Sequence, residues 1–168
     1  MKSLRIGLLS DTHGYLHPGI FTFFKDVDEI WHAGDIGGMQ TARELEAFKP
    51  FFAVYGNIDD HLTRTAFPEI LMLERGEMRC LMMHIGGYPG RYTPKAKEEI
   101  LNYRPHLFIS GHSHILKIIP DHTHKLLHIN PGAAGYQGMH HKITFVRFRL
   151  ENGKPGELEV FEAERRKV

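Results

Sequence analysis

The chain has 168 residues, 42% of them apolar and 24% charged, a composition that supports one domain (1–168) with a packed core. Its 21 basic and 20 acidic residues leave a net charge of +1. That balance excludes a disordered polyelectrolyte and gives no electrostatic reason to expect long nucleic acid or an anionic membrane as partner.

The first predicted element is an apolar strand over 4–9, stopped at once by the polar loop Ser10-Asp11-Thr12-His13-Gly14. Its apolar stretch is too short for a signal peptide, and no stretch approaches a membrane span, so a cytoplasmic chain is expected. Ile20, Phe23, Phe24 and Val27 then recur at helical spacing, with Pro18 where a helix can begin. A second strand over 29–33 ends in Gly34-Asp35. A second helix over 41–48 is stopped by Pro50, and a third strand over 51–55 runs into Gly56-Asn57. Strands over 69–74 and 78–84 flank Arg75-Gly76-Glu77 as a hairpin. The single cysteine, Cys80, lies in this second strand; it excludes an intrachain disulfide and reads as a buried thiol. A helix over 95–103 precedes a strand over 107–110 that ends in Gly111-His112. Strands over 115–119, 125–129, 142–150 and 157–161 complete the chain. Strand–helix alternation followed by hairpins predicts an α/β fold with a mixed sheet or two packed sheets.

The abnormal count is 13 histidines, and several sit where apolar strands stop beside a glycine. Ligands gather at the carboxyl ends of strands in α/β sheets. Asp11, His13, Asp35, Asn57, His84, His112 and His114 all fall at such ends. Taken singly, each has a plainer reading: Asp after a strand is commonly a turn former or cap, Gly-Asn an ordinary turn, and His84 a core histidine. Gly111-His112-Ser113-His114 is more specific, because residues at i and i+2 of an extended loop share a side. As a set, they offer carboxylate, amide and imidazole donors and no thiolate. Such donors suit manganese, nickel, iron, cobalt or zinc. Seven donors exceed one ion and suffice for two if a carboxylate bridges. An open, mildly cationic two-metal centre is what in-line attack of a bridging hydroxide on a phosphate ester requires.

The series D-T-H (11–13), G-D (34–35), G-N-I-D (56–59), H (84) and G-H-S-H (111–114) resembles the calcineurin-like metallophosphoesterase superfamily. The short length and Ile129-Asn130-Pro131-Gly132 resemble its small YfcE-like phosphodiesterases, a subgroup that also contains a retromer scaffold subunit. The resemblance implies a four-layer αββα sandwich, two mixed β-sheets flanked by helices, and metal-dependent hydrolysis of a small-molecule phosphoester. It implies two divalent metal ions, manganese first, one held by Asp11, His13, Asp35 and His114. The other would be held by Asp35, Asn57, His84 and His112, with Asp35 bridging. Asp35, Asn57 and His84 would carry the catalysis. A homo-oligomer is compatible with the subgroup, as are two alternative functions, a non-catalytic interaction scaffold and a phosphomonoesterase.

Two positions depart from the family pattern. Ile58 stands where many relatives have a His after Gly-Asn, and losing a general acid typically costs about 10²–10⁴-fold with poor leaving groups. A preference for good leaving groups is expected, with His61, His17 or Tyr88 as substitute acids. Ala133 replaces a frequent Ser. On the loop after His84, Arg91 is the expected phosphate clamp and Tyr88 or Tyr92 a stacking surface; Asn57 also faces substrate. Asp59 is expected as an acceptor for a ligand histidine. His32 should pack beside the site, His106 end a helix, and His122, His124, His128, His140 and His141 occupy surface and sheet.

Overall fold

The structure is a computed structural model and describes residues 2–165. Two five-stranded mixed sheets face each other. The first has the order β10-β9-β1-β2-β3, built from β1 (Leu4–Leu9), β2 (Glu29–His32), β3 (Phe51–Ala53), β9 (Lys142–Glu151) and β10 (Lys154–Glu164). The second has the order β4-β5-β6-β8-β7, built from β4 (Ile70–Arg75), β5 (Met78–Met83), β6 (Leu107–Ile109), β7 (Leu116–Asp121) and β8 (Leu126–Pro131). Among the described residues four helices join them: α1 (Gly19–Phe23), α2 (Met39–Phe48), α3 (His61–Ala66) and α4 (Pro94–Tyr103).

The central strands read as unbroken apolar runs because both of their faces are covered. Alternate residues then serve different layers. Ile6 and Leu8 of β1 join Cys80 and Met82 of β5 and Leu107 and Ile109 of β6 between the sheets. Leu9 of β1 packs instead with Ile20, Phe24 and Leu45 beneath α1 and α2. Leu81 and Phe108, facing away from the inter-sheet layer, pack on Ala96 and Ile100 of α4. The result is the expected αββα layering. Burial pushes the Cys80 thiol up to about 12, so it stays protonated. No helix among the described residues is long and apolar enough to cross a membrane.

Several elements differ from the sequence expectation. The first helix is shorter, stopping at Phe23, because the Asp28 N–H must reach the Arg5 carbonyl (2.8 Å) as β2 begins beside β1. Phe24 and Val27 remain buried outside it. The third strand ends at Ala53 because the Tyr55 N–H turns to the Pro68 carbonyl. Helix α3 was not expected; Asp60 caps it, accepting from the Thr63 N–H (2.9 Å) and hydroxyl (2.7 Å). The last two strands are longer and form one hairpin across Asn152 (φ 51°) and Gly153 (φ 71°), the left-handed pair of a tight turn.

Candidate metal centre

Within the first sheet β1, β2 and β3 run parallel, and within the second β5, β6 and β8 do. The loops beyond their carboxyl ends are tied together by backbone hydrogen bonds. The Asp11 and His13 N–H groups donate to the Gly34 and Asp35 carbonyls (2.9 and 3.0 Å), and the Gly111 N–H donates to the His84 carbonyl (2.9 Å). Ala134 and Gly135 after β8 reach back to Ser10 and Asp11. Two glycines make room for this crowding. A Cβ on Gly56 would lie 2.1 Å from Asp35 Oδ1, and one on Gly111 would lie 2.2 Å from Ser10 Oγ. Asp11, His13, Asp35, His112 and His114 all have φ between 47° and 71°, a conformation costly for side-chain-bearing residues and typical of functional loops.

All seven expected donors lie on these loops. Asp11, His13 and His114 form one group whose donor atoms lie within 4.8 Å of one another; Asp35, His84 and His112 form a second. Asp35 Oδ2 lies 3.5 Å from His13 Nε2 and 3.2 Å from His84 Nε2, between the groups. Asp11 Oδ1 lies 3.1 Å from His114 Nε2 and 3.8 Å from both His13 and His84. Asn57 Oδ1 meets His112 Nδ1 at 3.0 Å. Donors sharing one first-row ion at ~2.1 Å sit about 3–3.5 Å apart, so these spacings fit the set.

Each carboxylate is anchored through one oxygen and presents the other. Asp11 Oδ2 accepts from the Ser10 hydroxyl (2.6 Å) and the His112 N–H (3.1 Å), leaving Oδ1 buried without a hydrogen-bond partner. Asp35 Oδ1 accepts from the Ile58 N–H (3.1 Å), leaving Oδ2 between two imidazoles. His84 Nδ1 lies 2.8 Å from the Ala33 carbonyl, which can only accept. Its proton therefore sits on Nδ1, and Nε2 is turned inward. His13 Nε2 and His84 Nε2 are also buried and without hydrogen-bond partners. Buried polar atoms without partners are rare, and here three of them share one space.

The electrostatics favour charge separation at this spot. Burial alone would raise the Asp11 carboxyl, but His114, His13, His84 and Ser10 together hold it well below the usual carboxylate range. Asp35 is likewise lowered by His84 and the Ile58 N–H despite burial. Burial would depress His84, yet the two carboxylates raise it above the ordinary histidine value. The donors are thus held as carboxylates with protons or cations between them.

Other predicted residues take different places. Asp59 accepts from three backbone donors, Ile36, Gly37 and Gly56 (3.2, 2.9 and 2.8 Å), rather than from a ligand histidine. It clamps the loop after β2 to the loop after β3. Asn130 explains its motif: its amide donates to the Gly111 carbonyl and Ser113 hydroxyl, bracing the turn that carries His112 and His114. Tyr92 is not a stacking surface, because its hydroxyl donates to Asp121 (2.7 Å) and its ring packs on Phe108. Tyr88 lies under the Lys117 ammonium at 3.3 Å, and Arg91 is exposed on the following turn. His61 is exposed at the start of α3, and His17 accepts from the Gly19 N–H and packs on Phe161. His32 supports Thr12 at 2.9 Å.

His140, expected on surface or sheet, instead packs against the site through His114. Its Nε2 lies 2.8 Å from the Gly135 carbonyl, so that nitrogen carries the proton. Its Nδ1 then has only a lone pair, 3.2 Å from His114 Nδ1, which must donate. His114 Nε2 is thereby turned toward Asp11. No spacing rule marked this residue, because the contact depends on a loop of irregular backbone.

Comparison with known proteins gives the family and the fold. Residues 4–153 match the calcineurin-like phosphoesterase superfamily domain, and the chain belongs to that superfamily. It is 30% identical over 135 residues to a probable metallophosphoesterase of Methanothermobacter thermautotrophicus, covering 76% of each chain. In fold it resembles the structure of an archaeal phosphodiesterase, with a TM-score of 0.74 and 21% identity over 95% of this chain and all of that one. It also resembles vacuolar protein sorting 29 from Cryptosporidium parvum, with a TM-score of 0.66 and 18% identity over 96% and 98% of the two chains.

Proposed function

We propose that Asp11, His13, Asp35, Asn57, His84, His112 and His114 hold two divalent cations, and that the chain, as one domain, hydrolyses small phosphodiesters. The observation that carries this reading is the trio of buried, unpartnered donor atoms, Asp11 Oδ1, His13 Nε2 and His84 Nε2. Left unpaired, each buried polar atom costs about 1–3 kcal/mol, and bound cations relieve that cost. When bound, two divalent ions make a nucleophile available near neutral pH and offset charge on the phosphoryl oxygens. The donor chemistry suits manganese, with nickel, iron, cobalt or zinc as alternatives.

The protein supplies the rest. Asp35 Oδ2, placed between His13 and His84, would be the donor shared by the two cations. The Asn57 amide, whose oxygen beside His112 would face a cation, keeps its NH₂ group to donate to a phosphoryl oxygen. Ile58 offers no proton, and its N–H is already spent on Asp35. The leaving group therefore departs without an imidazole donor from that position, which favours esters of acidic alcohols.

The test is hydrolysis of bis-p-nitrophenyl phosphate and p-nitrophenyl phosphate by protein loaded with Mn²⁺, Ni²⁺, Co²⁺ or Zn²⁺. The diester should be cleaved faster, with two ions bound per chain. Folded, metal-loaded protein without a rate on either ester would point to a scaffold, and a faster monoester to a phosphomonoesterase.

A further inference from the structure

A cleft of about 380 Å³ opens directly beside Asn57 and His84 and is walled by Tyr55, Arg64 and Ile85. We propose that it is the subsite for one organic substituent of the phosphodiester, and that it selects a planar, largely apolar ring. The proposal rests on the reading of the adjacent centre as a phosphodiester site.

Arg64 forms the first wall. Its Nε donates to the Asp59 carbonyl (2.7 Å), its Nη2 donates to the Asn57 carbonyl (2.9 Å), and its guanidinium carbon lies 4.9 Å from the Tyr55 ring centroid. Two carbonyls and an aromatic ring fix the plane of the fork without neutralising its charge. The residue is exposed, so this fixed plane is available to a second flat group. Guanidinium and aromatic planes stack on rings with little regard to the ring's identity.

Ile85 forms the opposite requirement, an apolar contact. It follows His84 directly and is 43% exposed, while Ile58, following Asn57, is 46% exposed. Ile85, held in water next to a donor of the centre, is cleft surface that a ligand would cover; Ile58 lies outside the cleft's lining. The one ion pair lining the cleft, Lys95 with Glu69 at 2.7 Å, adds no net charge. A polyphosphate would meet the Arg64 charge but gain nothing from Ile85, whereas a planar apolar ring uses both walls. The volume lies at the small end of ligand sites and admits one ring system, not a polymer.

The test uses the full chain loaded with whichever of Mn²⁺, Ni²⁺ or Co²⁺ it binds most tightly. Two non-hydrolysable probes, phenylphosphonate and methylphosphonate, share a charged head and differ in the ring; their affinities are read by calorimetry. Phenylphosphonate should bind about tenfold tighter. Arg64→Lys, which keeps the charge and loses the plane, should cut that preference to about twofold. Ile85→Ser should do the same from the other wall, without touching the bonds that Arg64 makes to the Asn57 loop. Equal binding of both probes by the unsubstituted protein overturns the subsite, as does a preference that survives both substitutions. If neither probe binds and no ester is cleaved, the phosphodiester reading itself fails, and the subsite with it.

Discussion

Two residues carry the sharpest expectations at the scale of single side chains. Asp35 offers its free oxygen to both donor groups, so Asp35→Asn should reduce bound metal from two ions to at most one per chain and lower activity at least about 10²-fold, read by elemental analysis and diester hydrolysis. His140 touches no substrate; it orients His114. Partners of this kind typically contribute 10–100-fold to metal affinity. His140→Ala should therefore weaken one of two sites by that factor in a calorimetric titration, while His140→Gln, which retains an acceptor, restores part of it. An unchanged titration would remove His140 from the site. That these seven residues meet was legible in sequence because each lies at or just past the end of an apolar strand. His140 was not, since its role depends on a through-space meeting of one ring with another 26 residues away, on the loop beyond β8.

At the scale of elements, the strands buried on both faces were the most legible, their uninterrupted apolar runs having one physical reading. The ends were less so. Strand β10 is an edge strand facing water, and its mixture of Glu, Lys and Gly hides its length. Helix α3, of sequence His-Leu-Thr-Arg-Thr-Ala, has no apolar stripe, and only the Asp60 cap announces it. Asp60→Ala should lower the urea unfolding midpoint slightly, by loss of the cap. Asp59, one residue earlier, clamps two loops through three backbone donors, and Asp59→Ala leaves those donors unpaired. It should cost about 3 kcal/mol, well beyond the cap.

At the scale of the whole molecule, buried neutral histidines set the acid limit. Burial lowers His128 to about 4, with the ring's Nδ1 on the Phe108 carbonyl. Its folded value lies below its unfolded one of about 6.5, so the unfolded chain takes up the proton first as pH falls. The neutral ring imposes no penalty above about pH 6.5, and stability is lost progressively between 6.5 and 4. At pH 5 the loss from this residue should be about 2 kcal/mol relative to pH 7.5. Urea midpoints of the unsubstituted protein and His128→Asn at both pH values check this: the substituted protein should show a smaller drop.

The donors come from both sheets, Asp11, His13 and Asp35 from one and His84, His112 and His114 from the other. A cation gripping such a set works as a rivet through the seam of the sandwich. At a hundred times its dissociation constant, it should raise the unfolding free energy by about 2.7 kcal/mol. Chelation should loosen this end of the seam first, so amide exchange would quicken at Ala33, Gly34 and Gly111 while the far turn at Asn152 keeps its pace.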